Sequence, residues 1–82
     1  MLSLGVQVST KIMVGEHELE VLDIKSIDML ILQVDGERTV VVSDKERIEL
    51  WPDVYVQTGA SSTSQNTRLA IAAPRSVKIL RL

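Results

Sequence analysis

Val, Ile and Thr make up 23 of the 82 residues, and apolar side chains recur at every second position over much of the chain. Leu2, Leu4, Val6 and Val8 share one side of an extended segment, while Leu19 and Val21 face away from Glu16, Glu18 and Glu20. A period of two is that of a half-buried strand, and branched side chains crowd a helix but pack well on a pleated surface. The chain is therefore expected to be all-β. A hydrophobic share of 45% excludes global disorder.

A chain of 82 residues makes one small domain or two very short repeats. At this size only about 60% of the unfolded surface is buried, so stability must lean on a dense core or a partner subunit, and dimerisation is expected. Without cysteine, neither a disulfide nor a thiolate zinc site can form. No apolar run approaches the ~20 residues that span a bilayer, and Met1-Leu2-Ser3-Leu4 lacks a basic segment followed by an apolar one. A soluble, cytoplasmic, unprocessed protein is the expectation.

Turn signals cut the alternation into eight short strands. Lys11 to Val14 follows Met1 to Val8, and Gly15-Glu16 turns into a third strand, 17 to 24. Lys25-Ser26-Ile27-Asp28 closes a hairpin to Met29 through Val34. Asp35-Gly36 suits a two-residue hairpin loop that needs positive φ, so Leu30 to Val34 should pair with Thr39 to Ser43. Ser43-Asp44-Lys45-Glu46 fits a capping box, which predicts a short helix through Leu50, stopped by Pro52. Asp53 to Gln57 reads as another strand and the Ser/Thr-rich stretch Thr58 to Thr67 as a loop. Arg68 to Ala73 and Ser76 to Leu82, divided by Pro74, are the last two strands.

Two patterns cross this outline. Residues 1 to 67 carry eleven acidic and five basic side chains, whereas residues 68 to 82 carry Arg68, Arg75, Lys78 and Arg81 and no acid. Such an end can present a positive edge to an anion, or it can be a solvated edge strand with cationic gatekeepers against aggregation. In addition, Ile31 to Asp44 lies over Arg68 to Arg81 at a spacing of 37 residues, with identities at Leu32/Leu69, Arg38/Arg75 and Val40/Val77. True duplication and a shared strand period both account for that match.

Met1-Leu2-Ser3-Leu4, Lys11-Ile12-Met13-Val14-Gly15-Glu16 and Arg68-Leu69-Ala70-Ile71-Ala72-Ala73-Pro74-Arg75-Ser76-Val77-Lys78-Ile79-Leu80-Arg81 resemble the two signature segments of the carbon storage regulator (Csr/Rsm) family. These are small dimeric bacterial β proteins that bind messenger RNA. The resemblance implies a single Csr-like β domain, 1-82, in which 25-65 is an insertion or a degenerate repeat. It also implies an interleaved homodimer, in which the first strand of one subunit lies beside the last of the other and RNA binds along that edge. Carried over by position, the RNA-binding residues are Leu4, Ile79, Leu80 and Arg81, with Arg75 and Lys78 as helpers. The implied function is translational regulation through GGA-type single-stranded or hairpin loops of messenger RNA.

The chain departs from the family pattern. Val6 and Gln7 stand where the family has two basic residues, Ser9-Thr10 replaces Gly-Glu, and in the 26 to 50 stretch Asp44 replaces the functional arginine. Each lost phosphate or base contact lowers the expected affinity. Val6, Gln7 and Asp44 motivate the alternative: a Csr-like protein-interaction or scaffold module that no longer binds RNA. A third reading, one chain mimicking part of the swapped dimer, needs ten strands where eight are counted, and ranks below the dimer.

The remaining candidates point away from catalysis. His17 lies opposite the flanking glutamates in a strand, which suits a turn or surface role better than a metal site. Ser61 to Ser64 have no partner base nearby, and Asp23, Asp28, Asp35 and Asp44 follow turns rather than a calcium loop. Trp51 and Tyr55 could stack a base, but core or turn packing is favoured. Neither an enzyme, a cofactor, a metal nor a small-molecule substrate is expected.

Overall fold

The computed structural model describes residues 2–58 and 67–82, which form nine strands: β1 (Leu2–Val6), β2 (Lys11–Val14), β3 (His17–Ser26), β4 (Met29–Val34), β5 (Arg38–Ser43), β6 (Ile48–Trp51), β7 (Val54–Thr58), β8 (Thr67–Ala72) and β9 (Ile79–Arg81). The protein is all-β, and no helix among the described residues is long and apolar enough to cross a membrane. The strands build two antiparallel sheets, ordered β1-β8-β7-β6 and β5-β4-β3-β2-β9. Inward positions follow the alternation, as in Leu30, Leu32 and Val34 on β4 and Val54 and Val56 on β7. They meet as one core, with Ile12, Leu19, Val21 and Val42 from the larger sheet against Val6, Leu50, Leu69 and Ile71 from the smaller.

The ends of the chain cross over between the sheets. β1 pairs with β8 from Leu2↔Ile71 to Val6↔Thr67, and β9 pairs with β2 through Ile12↔Arg81, Met13↔Leu80 and Val14↔Ile79. Two further bonds extend the β2–β9 pair, Gly15 N–H to the Lys78 carbonyl at 2.7 Å and Leu82 N–H to the Lys11 carbonyl at 2.9 Å. The first and last strands therefore lie in different sheets and do not pair with each other within the chain.

Pairings recur at the 37-residue spacing. β2 moved by 37 positions coincides with β6, and the start of β3 at His17 falls on the start of β7 at Val54. The registers coincide too: Val14↔His17 becomes Trp51↔Val54, Leu19↔Val34 becomes Val56↔Ile71, and Val21↔Leu32 becomes Thr58↔Leu69. The recurrence breaks at β5, which pairs with β4 and leaves β6 without a neighbour on its outer side.

Three local expectations change. Ile48–Trp51 is a strand rather than part of a helix. The Ser43 hydroxyl accepts from Lys45 N–H at 3.3 Å, a turn contact two residues along, while Leu50 is buried and Ile48 packs against the core at strand spacing. The last strand shortens to Ile79–Arg81, because Val77 N–H bonds back to the Pro74 carbonyl at 2.9 Å in a turn. Thr58 and Thr67, expected at the ends of a loop, are buried strand residues whose hydroxyls donate to the Asp28 and Ser26 carbonyls. They fasten the β3–β4 turn of one sheet to the other. The rest of that expected loop, 59–66, lies outside the described residues.

The Asp35-Gly36 turn forms with φ of 54° and 68°, and Glu37 N–H donates to the Val34 carbonyl at 3.0 Å. The ladder resumes at Val34↔Arg38, one residue beyond a two-residue loop.

Leu69 sits fully buried in the smaller sheet, between Leu4 on β1 and Thr58 on β7. Leu69→Ala is expected to cost about 2–5 kcal/mol, read as a lowered midpoint in urea denaturation. A midpoint within error of the parent would mean that this sheet is not part of the cooperative core.

Candidate functional site

β1 and β9 are the outermost strands of their sheets, so each leaves one row of backbone groups unpaired by a neighbouring strand. Between them lies a cleft of about 510 Å³. One wall is Gly5, Val6 and Gln7 at the end of β1; the other is Lys11, Arg81 and Leu82. Ser9 and Thr10 join the two walls.

Register explains why Arg81 faces the cleft. Ile79 and Arg81 oppose Val14 and Ile12, which are buried, so both lie on the core-facing side of their sheet. Ile79 packs against the core, whereas Arg81, at the rim, is exposed and lines the cleft. Leu80 alternates to the outer face opposite Met13 and is 50% exposed.

The β1–β2 turn is held closed. Thr10 N–H donates to the Gln7 carbonyl at 3.0 Å, Gln7 N–H donates to the Thr10 hydroxyl at 2.9 Å, and Ser9 N–H donates to the Val21 carbonyl at 2.8 Å. Ser9 adopts φ of 78°, a left-handed position that tightens the turn. Most of the turn's backbone is thereby committed, and Gln7 and Ser9 stay exposed at the cleft. Behind Gly5, Arg68 lies along β1, donating from Nε to the Ser3 hydroxyl and from Nη2 to the Ser3 carbonyl, both at 3.0 Å. A Cβ built on Gly5 would meet Arg68 Nη1 at 3.8 Å.

Among the described residues no carboxylate lines this cleft, in a chain with eleven acidic residues. Its basic lining residues are Arg81, on the core-facing side, and Lys11, whose side chain alternates with Met13 to the outer face, where Glu20 opposes it across β2–β3. Chemically, the cleft offers a planar donor fork, polar Gln7 and Ser9, and two strand edges, with the Lys11 ammonium on the outer face nearby.

Of the residues expected from sequence, Arg81 alone lines the cleft. Leu4 is half-buried against the core, one position before Gly5. Ile79 packs inward, Leu80 turns to the outer face, and Arg75 and Lys78 are exposed in the connection before β9. Sequence reasoning missed Lys11, Gln7 and Ser9 as wall residues. Their chain positions carry no such signal, because the cleft exists only through pairing with the far end of the chain.

A second cluster joins the sheets elsewhere. His17 stacks on Trp51 with ring centroids 4.0 Å apart, and its Nδ1–H donates to Asp35 at 2.8 Å. Asp35 also accepts from Glu18 N–H at 2.8 Å. These two donors, the backbone amide first and the imidazole second, hold the Asp35 carboxyl below its ordinary range. The cluster is packed, as expected for Trp51, and it gives His17 an inter-sheet contact that strand alternation does not reveal. Tyr55 lies beneath the Arg47 guanidinium at 4.7 Å. Ser61 to Ser64 lie outside the described residues. Among the described residues, no three potential metal ligands converge.

In comparisons with known proteins, no family model, curated protein or solved structure matches the chain.

Because the folded Asp35 carboxyl titrates below its unfolded value, its contribution is present at neutral pH and is lost as pH falls through the acidic range. Asp35→Asn tolerates the left-handed backbone but loses the charge. Its Tm should lie below the parent's at pH 7, and the gap should close below about pH 4. Thermal melts from pH 7 to 3 check this; a gap that stays constant would remove the carboxylate from the account.

Proposed function

We propose that this chain binds single-stranded, hairpin-loop messenger RNA of the GGA type in the β1/β9 cleft and acts as a cytoplasmic, bacterial post-transcriptional regulator of translation. The single supporting observation is an acid-free cleft with Arg81 on one wall, placed between two open strand edges. An arginine fork fits guanine O6 and N7 or a phosphate, and strand-edge amides and carbonyls suit the exposed faces of unpaired bases. The resemblance to the Csr/Rsm signatures supplies the RNA class; it carries over to Leu4, Ile79, Leu80 and Arg81, with Arg75 and Lys78 nearby. Lys11 compensates in part for the two basic residues replaced by Val6 and Gln7. Val6 is only 6% exposed and contributes to packing, so affinity should fall below that of a site with four cations.

A second reading is a protein-interaction module without RNA affinity. It is favoured by the outer face of the five-stranded sheet, where Val41, 55% exposed, opposes Ile31, and Leu80 opposes Met13. Gel-shift titration with a GGA-hairpin RNA at two salt concentrations separates the readings. The RNA reading expects binding that weakens with salt, a loss of about 1–3 kcal/mol in Arg81→Ala, and a smaller salt slope in Lys11→Ala. Absence of a shift at micromolar protein, or unaltered affinity in Arg81→Ala, favours the interaction module.

A further inference from the structure

We propose that β5 occupies two places in the 37-residue recurrence at once, and that one chain therefore carries a single RNA cleft with its counterpart closed. This rests on the RNA reading of the β1/β9 cleft and sets its stoichiometry.

The placement follows from the strand bounds. Moved by 37 positions, Leu2–Val6 falls on Thr39–Ser43, inside β5; moved by the same amount, Val42 and Ser43 of β5 fall on Ile79 and Leu80 of β9. β5 is thus the counterpart of the first strand and of the last. Its pairing follows the first role, since it lies against β4 as β1 lies against β8. The second role is left undone, since β9 pairs with β2 but among the described residues no strand pairs with the outer side of β6. That is why the described residues form nine strands rather than ten, and one sheet of four beside one of five.

A cleft of the β1/β9 kind needs two separate edges, and here a single strand would have to supply both. The junction is instead bridged: Arg38 Nη2–H donates to the Leu50 carbonyl of β6 at 3.0 Å. His17 stacks on Trp51 at the end of the same strand. Charge agrees with geometry. The 37-residue shift carries both Gln7 and Arg81 onto Asp44, and Lys11 onto Ile48, so a carboxylate stands where the open cleft has its guanidinium. Arg81 and Lys11 thus have basic side chains on the open side and none at their counterparts Asp44 and Ile48.

Native mass spectrometry and sedimentation of the full chain with GGA-hairpin RNA test the proposal. The expected species is a 9.1 kDa monomer holding one hairpin. On an RNA bearing two such loops, two chains should bind independently, with affinity per loop within about twofold of the single hairpin and without the roughly 10²- to 10⁴-fold avidity of a bivalent binder. Asp44→Arg should still bind one hairpin per chain, because a strand cannot serve two edges. A protein dimer with an avidity gain, or two hairpins per chain in the parent or in Asp44→Arg, overturns the single-site proposal alone. A monomer that takes up no RNA overturns the RNA reading, and the single-site proposal falls with it.

Discussion

The pairing of the two chain ends with distant strands is the constraint from which this molecule follows. Arg68 bridges to Ser3 across 65 residues of sequence, and the whole β1–β8 ladder has a similar reach. Closing so long a loop carries an entropic cost that only a cooperative core can offset. Without β1 the smaller sheet would end at β8, leaving Leu69 and Ile71 under an open edge; without β9 the larger sheet would end at β2. The cleft is the gap between those two added strands, so the contacts that complete the core also create the candidate site.

The middle of the chain is built from local rules. β2–β3 and β6–β7 are both closed by two-residue turns with one left-handed residue, the first of the pair in Gly15 at φ 62° and the second in Asp53 at φ 63°. From these hairpins the shared registers follow, and the buried hydroxyls of Thr58 and Thr67 then fasten the turn of one sheet to the strand ends of the other. A buried hydroxyl without a partner costs about 1–3 kcal/mol, so these two threonines fix how the sheets sit together as well as satisfying themselves. One strand short of a full set, the structure meets the problem of an open β6 edge by laying Arg38 against it.

The sequence made the fold class and most strands legible because alternation and turn residues are local. Asp35-Gly36 predicted its own positive φ. It failed at Ser43 to Leu50, where a capping-box spelling competed with the two-residue period of Ile48 and Leu50, and burial followed the period. The site was less legible for a different reason. Arg81 could be named from the motif around it, but whether it faced a cleft depended on its register against Ile12. Lys11, Gln7 and Ser9 became wall residues only through that same long-range pairing, to which no residue in residues 7 to 11 testifies.

Register also bears on the two readings that composition left open for the basic end of the chain. A strand whose charges serve only to keep an edge soluble would turn its cation outward and its leucine inward. β9 does the reverse: Leu80 stands on the outer face at half exposure, and Arg81 takes the core-facing side at the point where the core ends. Placing a guanidinium there leaves it exposed at the rim of the cleft, where an anion entering between β1 and β9 would meet it.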